Sequence, residues 1–261
     1  MPEGHTIHRL ARDHTRDLAG QPLAVSSPQG RAAETAAALD GASIRKVDAY
    51  GKHLLYRWDT GDTLHVHLGL YGKFRRLHSP PPEPRGALRL RMEGEPWTVD
   101  LRGAIACELF DPAQEKLLRA RLGPDPLRRD GHYARFEANL RRRSIPIGAA
   151  LLDQAVIAGI GNVYRAEVLL ILGIDPMRPA RDLSPEEMRA VWDTTKRLLQ
   201  AGVKANRIVT RPRRPGRRGR IPKDEANWVY RRTHCARCDG PIVPYELAAR
   251  TMWSCPTCQP A

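Results

Sequence analysis

Residues 147–172 have the sequence IGAALLDQAVIAGIGNVYRAEVLLIL. Two apolar stretches, Ile147 to Val156 and Val163 to Leu172, have the composition of buried helices, and the glycine-rich residues 158–162 connect them. This connection is predicted to place Asn162 at a helix N-cap, where free backbone N–H groups and the positive end of the helix dipole suit a phosphate. A tight helix–helix turn that binds nothing is the simpler alternative.

The residues N-terminal to this stretch predict one helix followed by strands. Residues 4–18 carry apolar side chains at helical spacing and end before Gly20. Residues 22–110 contain short runs that alternate with period two and are separated by turn residues. Such a pattern predicts a β-sandwich or barrel.

Helical spacing returns at residues 112–122 and continues after a turn at 123–126. Ser184 begins a capping box before an amphipathic helix that is predicted to end at Gly202. The arginine- and proline-rich residues 211–220 cannot bury a core and are predicted to be mobile.

Four cysteines form two CxxC pairs, Cys235 with Cys238 and Cys255 with Cys258. This spacing is typical of a zinc ribbon, in which four thiolates hold one tetrahedral ion and close its coordination shell. We therefore predict one structural Zn²⁺, with a β-hairpin between the two pairs. A disulfide or redox pair is the alternative. The fifth cysteine, Cys107, lies in an apolar run and is predicted to be a buried small hydrophobe.

The predicted fold class is therefore α+β with several domains. An N-terminal catalytic helix and β-sandwich domain is predicted at 1–121. A helical domain follows at 122–226, with a basic linker at 207–226, and the zinc ribbon occupies 227–261.

The charge of the chain points to a polyanionic partner. Lys and Arg number 43 and Asp and Glu number 29, which gives a net charge of +14. Nucleic acid is the first candidate for such a partner. No apolar run approaches the roughly 20 residues of a membrane span, and the first residues lack the apolar core of a secretory signal. We therefore expect a cytoplasmic protein in a reducing compartment, with its cysteines as thiols or ligands.

The first residues of the chain offer a nucleophile. Removal of Met1 would leave Pro2 with a free secondary amine, and an α-amine with a pKa near ~8 is partly uncharged at neutral pH. Its attack on a sugar carbon gives a positively charged iminium, which acts as an electron sink. The adjacent Glu3 could move protons. An ordinary chain start is the alternative, and we expect Met1 to be absent from the working enzyme.

Three further side chains are candidates by position. Lys52 follows Tyr50-Gly51 in a predicted hairpin turn, where a solvated lysine is the alternative. Arg250 lies near the tip of the predicted ribbon hairpin, where it could contact a phosphate. Leu70 ends a predicted strand and could pack as a detail of the turn or wedge between stacked bases.

In their order and combination these pieces resemble the Fpg/Nei family of DNA glycosylases nearly end to end. The matching segments are residues 1–4, the Lys52 turn, Leu70-Tyr71-Gly72, 122–127, 151–167, and Arg250 with 255–259. The resemblance implies that residues 151–167 form a helix–two-turn–helix motif. It also implies a monomeric, bifunctional DNA glycosylase/AP lyase of base excision repair, acting on damaged DNA.

The resemblance implies a role for each catalytic residue. The damaged nucleotide is flipped out of the helix, because its C1′ cannot be reached inside the stack. Pro2 attacks C1′ and forms the Schiff base, while Glu3 acts as acid and base at the sugar ring. Lys52 contacts the lesion phosphate and assists proton transfer. Arg250 assists the second departure of a β,δ-elimination.

The family pattern also implies residues that hold the DNA. Asn162 and Arg250 would bind the phosphates that flank the lesion, and Leu70 would fill the hole left by the flipped base. Arg121 would touch the DNA near the domain junction.

The sequence departs from the family pattern at two places. His5-Thr6 replaces the usual Pro-Glu, so a second carboxylate beside the amine is missing. Arg102-Gly103-Ala104 lacks the aromatic wedge of the Fpg branch, which makes the chain closer to the Nei (endonuclease VIII) branch and favours oxidised pyrimidines. A non-catalytic zinc-ribbon DNA-binding protein remains the competing hypothesis. A zinc-ribbon transcription factor would not need the β-sandwich or Pro2.

Overall fold

The computed structural model describes residues 2–212, 216 and 218–260. The chain divides into two compact units, Met1–Ala120 and Arg121–Ala261. The basic run 211–220, predicted to be mobile, falls partly on residues 213–215 and 217, which lie outside the described residues.

The first unit contains one long helix and two antiparallel sheets. Its elements are α1 (Gly4–Leu18), β1 (Ala24–Ser26), α2 (Ala33–Leu39), β2 (Ile44–Tyr50), β3 (His53–Trp58), β4 (Thr63–His67), β5 (Lys73–His78), β6 (Leu90–Glu93), β7 (Trp97–Arg102) and β8 (Ala106–Phe110). Helix α3 (Pro112–Arg121) follows and ends at the boundary between the units. The predicted helix at residues 4–18 is confirmed.

The two sheets have four strands each. Their strand orders are β1-β6-β7-β5 and β2-β3-β4-β8, and every neighbouring pair is antiparallel. Alternate side chains such as Leu54, Leu64, Val66, Val99 and Leu101 are fully buried in one apolar cluster. The predicted β-sandwich is confirmed, and Cys107 is buried in this cluster as predicted.

The second unit contains helices and a two-stranded hairpin. Its elements are α4 (Tyr133–Arg141), α5 (Ile147–Ala150), α6 (Asn162–Leu172), a 3₁₀ turn (Ala180–Asp182), α7 (Pro185–Ala205), β9 (Val243–Glu246) and β10 (Thr251–Ser254). Apolar residues of the helices and of the ribbon share one buried cluster. The predicted boundary at residue 227 between helical and ribbon domains stays a prediction.

Two helix boundaries differ from the sequence prediction. The helix expected from Ile147 to Val156 is the four-residue α5, and hydrogen-bonded turns continue the chain to Ile157. Asp153 explains the break, because its side chain accepts the backbone N–H of Ala155 at 2.9 Å and favours a turn. Helix α7 has the predicted capping box at Ser184 and Glu187. It continues past Gly202 to Ala205, where Asn206 adopts a left-handed conformation and ends it.

Helix α6 is buried from Asn162 to Leu170 and carries a buried carboxylate. Glu167 accepts the backbone N–H groups of Trp228, Val229 and Tyr230 at 2.7, 2.9 and 2.8 Å, and it also accepts the hydroxyl of Thr210. Burial raises the pKa of Glu167, and these four donors act in the opposite direction. The start of the ribbon is therefore fastened to α6 through one side chain.

Among the described residues, no helix has the length and apolar character needed to span a membrane.

Candidate functional site

The start of α1 holds Pro2 and Glu3. The carbonyl oxygen of Glu3 accepts the backbone N–H of Thr6 at 2.9 Å, so Glu3 forms the N-cap and Pro2 precedes the helix. Glu3 is fully buried, whereas Pro2 is half-buried. The positive end of the helix dipole lies at this point and favours negative charge.

His5 and Thr6 stand where the family pattern has Pro-Glu, and their side chains contact each other. The Oγ1 atom of Thr6 lies 3.1 Å from Nε2 of His5. Burial lowers the pKa of His5 to about 4, so this imidazole is neutral at pH 7. A neutral histidine and a hydroxyl therefore occupy the place of the second carboxylate.

Lys52 lies in the two-residue turn between β2 and β3. Tyr50 pairs with His53 across this turn, and Gly51 has a φ of 57°. A glycine at the first central position is typical of a type II′ hairpin turn. The Lys52 side chain is half-buried, and the predicted placement in a hairpin turn is confirmed.

A chain of buried histidines follows Lys52, and the sequence prediction missed it. The Nδ1 atom of His53 lies 2.9 Å from Nε2 of His65, and Nδ1 of His65 lies 3.2 Å from a carboxylate oxygen of Glu108. A carboxylate accepts a hydrogen bond, so Nδ1 of His65 is the donor to Glu108, and the ring tautomers decide which histidine donates to the other. The alternation of His65 and His67, with His53 on the preceding strand, was the available sequence signal.

Leu70 lies in an exposed apolar turn. It is 39% exposed, and Tyr71 beside it is 87% exposed. The backbone N–H of Gly72 donates to the carbonyl of Leu68 at 2.9 Å, which closes the turn. Ile105 is 68% exposed and packs against Gly69, since a Cβ added at Gly69 would lie 2.7 Å from Ile105 Cγ2. Ile105 thus adds to the exposed apolar residues that the sequence predicted at the turn Leu70-Tyr71-Gly72.

In the second unit, Asn162 is the first residue of α6 rather than its N-cap. Gly161 occupies the N-cap position, so the predicted placement was wrong by one residue. Asn162 is 7% exposed, and its Nδ2 atom donates to the carbonyl oxygen of Thr251 at 2.9 Å. Its Oδ1 atom is buried and has no hydrogen-bond partner within the described part of the chain. An amide has two N–H donors, and the Thr251 carbonyl uses one of them.

The loop before Asn162 is held by Gln154. The side chain of Gln154 accepts the backbone N–H of Gly159 at 3.0 Å and donates to the carbonyl of Ile160 at 3.0 Å. Gly159 has a φ of 98°, a conformation that L side chains rarely adopt. This glycine is therefore required by the backbone of the loop.

Arg250 lies at the tip of the β9–β10 hairpin. Its side chain is exposed, and its carbonyl oxygen accepts the backbone N–H of Leu247 at 3.0 Å. The predicted placement near the hairpin tip is confirmed. Arg121 is exposed at the last position of α3. The structure thus brings Asn162 and the hairpin together, and it places Pro2, Glu3, Lys52 and Leu70 in the first unit.

The four cysteines Cys235, Cys238, Cys255 and Cys258 form one cluster. Their sulfur atoms all lie within 4.8 Å of one another, with Cys238–Cys255 at 3.5 Å and Cys235–Cys258 at 3.9 Å. Bonds of about 2.3 Å to a tetrahedral ion require sulfurs about 3.8 Å apart, so the cluster fits such an ion. The backbone N–H of Arg237 donates to the Cys235 sulfur at 3.4 Å, as expected for a thiolate. The cluster can therefore bind a metal ion.

Comparisons with known proteins cover both units. The family model for the formamidopyrimidine-DNA glycosylase N-terminal domain matches residues 1–107, and the model for the H2TH domain of that enzyme matches residues 122–213. The chain is 45% identical over 267 residues to the protein named Endonuclease 8 1 of Mycobacterium tuberculosis, covering 99% of this chain and 100% of the relative. It is 33% identical over 268 residues to a formamidopyrimidine-DNA glycosylase of Thermus thermophilus, covering 99% and 97%.

The fold is also found in solved structures. A complex between the Lactococcus lactis Fpg and an abasic-site-containing DNA matches with a TM-score of 0.82 and 25% sequence identity, over 99% of this chain and 100% of that chain. Both domain models match in order, and a 45% identical relative is covered over its whole length. The chain therefore belongs to the Fpg/Nei family, the formamidopyrimidine-DNA glycosylases and their relatives.

Proposed function

We propose that this protein is a bifunctional DNA glycosylase/AP lyase of base excision repair that removes oxidised pyrimidines and cleaves the strand by β,δ-elimination. The observation that carries this proposal is the placement of Pro2 and buried Glu3 directly before the first turn of α1. The preference for pyrimidines is supported by the relative named Endonuclease 8 1 and by the exposed Leu70-Tyr71 turn.

Pro2 is the proposed nucleophile. Its nitrogen, freed by loss of Met1, bonds to C1′ of the flipped nucleotide, and the base leaves with the electron pair of the glycosidic bond. Met1 itself lies outside the described residues. Glu3 takes the proton that the Pro2 nitrogen loses after bonding to C1′ and gives it to the ring oxygen as the sugar opens, which leaves C1′ joined to Pro2 as an iminium.

The iminium then drives strand cleavage. Loss of a proton from C2′ places an electron pair next to the iminium, and the 3′ phosphate departs. A second elimination releases the 5′ phosphate. We assign Lys52 to the lesion phosphate and to proton transfer, and Arg250 to the second departing phosphate.

The remaining residues hold damaged DNA in place. Asn162 and Arg250 bind the flanking phosphates, Leu70 fills the space of the flipped base, and Arg121 contacts the backbone. The net charge of +14 favours this polyanionic substrate.

Zn²⁺ is the ion we propose for the four-cysteine cluster. All four positions of a tetrahedral shell would be filled by sulfur from Cys235, Cys238, Cys255 and Cys258, so the ion would crosslink the ribbon and take no part in the reaction.

The proposal is tested by trapping with borohydride. A duplex with one oxidised pyrimidine is incubated with the protein, and reduction of the iminium is expected to give a covalent protein–DNA adduct. An uncleavable N-terminal extension should abolish the adduct, because Pro2 then has an amide nitrogen. The same extension placed at the C-terminus is the matched control and should leave the adduct unchanged.

The competing hypothesis, a non-catalytic DNA-binding protein, predicts binding without an adduct. Protein with an intact mass that proves loss of Met1, yet no adduct with damaged or abasic DNA, would establish that hypothesis and reject ours.

A further inference from the structure

Arg165 is a fully buried arginine on α6, three residues after Asn162. Residues three apart on a helix are neighbours on one face, so both side chains project toward the same part of the ribbon. Asn162 reaches the carbonyl oxygen of Thr251, as described above. Arg165 makes a larger set of contacts to the same hairpin.

The Arg165 guanidinium binds backbone carbonyls on both sides of the hairpin turn. Its Nη1 atom donates to Leu247 at 3.2 Å and to Gly148 of α5 at 3.0 Å. Its Nη2 atom donates to Arg250 at 3.2 Å and lies 3.5 Å from the Thr251 oxygen. One side chain thus connects α5, α6 and both ends of the turn.

The turn that Arg165 holds is one that its own residues do not favour. The central residues Ala248 and Ala249 have φ values of 56° and 54°. Positive φ at both central positions defines the type I′ turn, which strongly prefers Asn-Gly because a Cβ is unfavourable there. Two alanines need support from outside the turn, and Arg165 supplies it.

We propose that Arg165 is a positioning residue that fixes the backbone of Arg250 and so holds the exposed Arg250 guanidinium ready for a DNA phosphate. This inference depends on the phosphate role proposed for Arg250. Asn162 makes its own hydrogen bond to the Thr251 carbonyl at 2.9 Å, so it does not need Arg165 to reach the hairpin.

Arginine binds several backbone carbonyls better than lysine or methionine, the side chains of similar size. Its planar guanidinium has five N–H donors in a fixed fork and can serve several carbonyls at once. Lysine offers a single ammonium group on a flexible stem, and methionine fills similar space without any donor.

The first experiment measures affinity for a duplex that contains a tetrahydrofuran abasic-site analogue. Arg165→Met and Arg250→Ala are each expected to weaken binding about ten-fold, the scale of one charge-assisted hydrogen bond. The double variant should bind no more weakly than Arg250→Ala alone, because Arg165 acts through Arg250. Arg178→Met is the matched control, since that guanidinium binds Glu187 and the Asp182 carbonyl instead, and it should bind as the wild type does.

The second experiment replaces the support that Arg165 gives. The pair Ala248→Asn and Ala249→Gly supplies the residues that a type I′ turn prefers. Added to Arg165→Met, it is expected to restore affinity to within about two-fold of the wild type, and added to Arg250→Ala it should restore nothing. Zinc content is measured for every variant and should stay at one ion per chain.

Additive losses in the double variant, or failure of the turn replacement to restore zinc-loaded Arg165→Met, would overturn the proposal. If Arg165→Met does not fold, Arg165→Lys is carried through the same comparisons. Wild-type affinity in Arg250→Ala would also reject it. Borohydride trapping at saturating DNA reports on Pro2 independently, so loss of the wild-type adduct would reject the proposed function and leave the affinity comparison to decide on Arg165.

Discussion

The Nδ1 atom of His14 on α1 lies 2.7 Å from the hydroxyl oxygen of Tyr56 on β3, and both side chains are buried. The ring of Phe74 packs edge-on against His14, with the ring centres 4.7 Å apart. The helix that begins after Pro2 and Glu3 is therefore fastened to the sheet through a buried polar pair as well as through apolar packing.

This pair predicts a loss of stability in weak acid. Burial lowers the pKa of His14 to about 4, against the opposing effect of Asp17 and Asp13, whereas an unfolded histidine has a pKa near ~6.5. The unfolded state thus binds the proton first, so the contribution is complete above pH ~6.5 and is lost as the pH falls toward 4. The shift corresponds to at most about 3 kcal/mol. Urea unfolding at a series of pH values should show the decline.

The matched comparison for this prediction is His14→Gln against His8→Gln on the same helix. His14→Gln should flatten the decline between pH 6.5 and 4, because the group that takes up the proton is gone. His5, whose pKa burial also lowers to about 4, contributes a remainder. An unchanged slope in His14→Gln would contradict the assignment.

Removing the ion pair of Glu115 on α3 is expected to lower the stability of the fold. Its carboxylate accepts hydrogen bonds from Arg57 and Arg119, and the bond from Arg57 is the main reason that the pKa of Glu115 falls to about 2. Glu115→Gln should lower the free energy of unfolding by about 2 kcal/mol at pH 7, since it leaves Arg57 with only the longer carboxylate contact, to Asp48 at 3.5 Å. Asp193→Asn removes the exposed pair with Arg189 and should cost less than about 0.5 kcal/mol. Equal losses in the two variants would count against the distinction.

Leu70→Ser is expected to slow excision from double-stranded DNA but not from single-stranded DNA. The flipped base leaves a gap only in a duplex, where an apolar side chain can fill it. Excision from duplex DNA should fall about ten-fold, and excision from single-stranded DNA should stay within about two-fold, because no stack has to be opened. Leu117→Ser, which removes a 70% exposed leucine from α3, is the control. Equal slowing on both substrates would remove Leu70 from the proposed wedge.

Asn162→Asp should weaken DNA binding more than Asn162→Ala. Both variants lose the donor to the Thr251 carbonyl, but the carboxylate also repels that oxygen and the proposed phosphate. We expect a loss of about ten-fold for Ala and a larger loss for Asp, measured with abasic-analogue duplex at fixed salt. Affinity in Asn162→Asp equal to that of the alanine variant would show that no phosphate approaches this side chain.

Removal of the metal should separate DNA binding from chemistry. Elemental analysis is expected to give one zinc per chain, and a chelator should lower the affinity and reduce its dependence on salt, because Arg250 is carried by the ribbon. The Pro2 adduct should still form at saturating DNA. Cys107→Ser, which changes a thiol outside the cluster, serves as the control for reagents that act on any cysteine.

The sequence predicted the elements whose patterns are local. Helix α1, the capping box of α7 and the strand from His53 to Trp58 follow from spacing and end residues within a short window. The cysteine pairs also needed no distant information, because each CxxC turn presents its two sulfurs by itself.

Contacts between distant residues could not be predicted in this way. Arg165 and Glu167 lie in an apolar run with no periodic sign of their function, and their partners in the ribbon lie about 60 to 85 residues further along the chain. The His53–His65 contact depends on strand register, which period-two alternation does not fix between strands. Helix α5 ended early because the side chain of Asp153 competes for the backbone, a local effect that the apolar composition concealed.

Helix α6 binds the ribbon at two places. Glu167 holds the start of the ribbon at Val229, and Arg165 holds the tip of the hairpin at Arg250. Transplanting residues 227–260 into a foreign scaffold would therefore carry the thiolates but lose the contacts that Glu167 and Arg165 make. A chimera that is to keep the orientation of the hairpin must include α6 as well. Exchanges between homologues should therefore transfer the helix and the hairpin together.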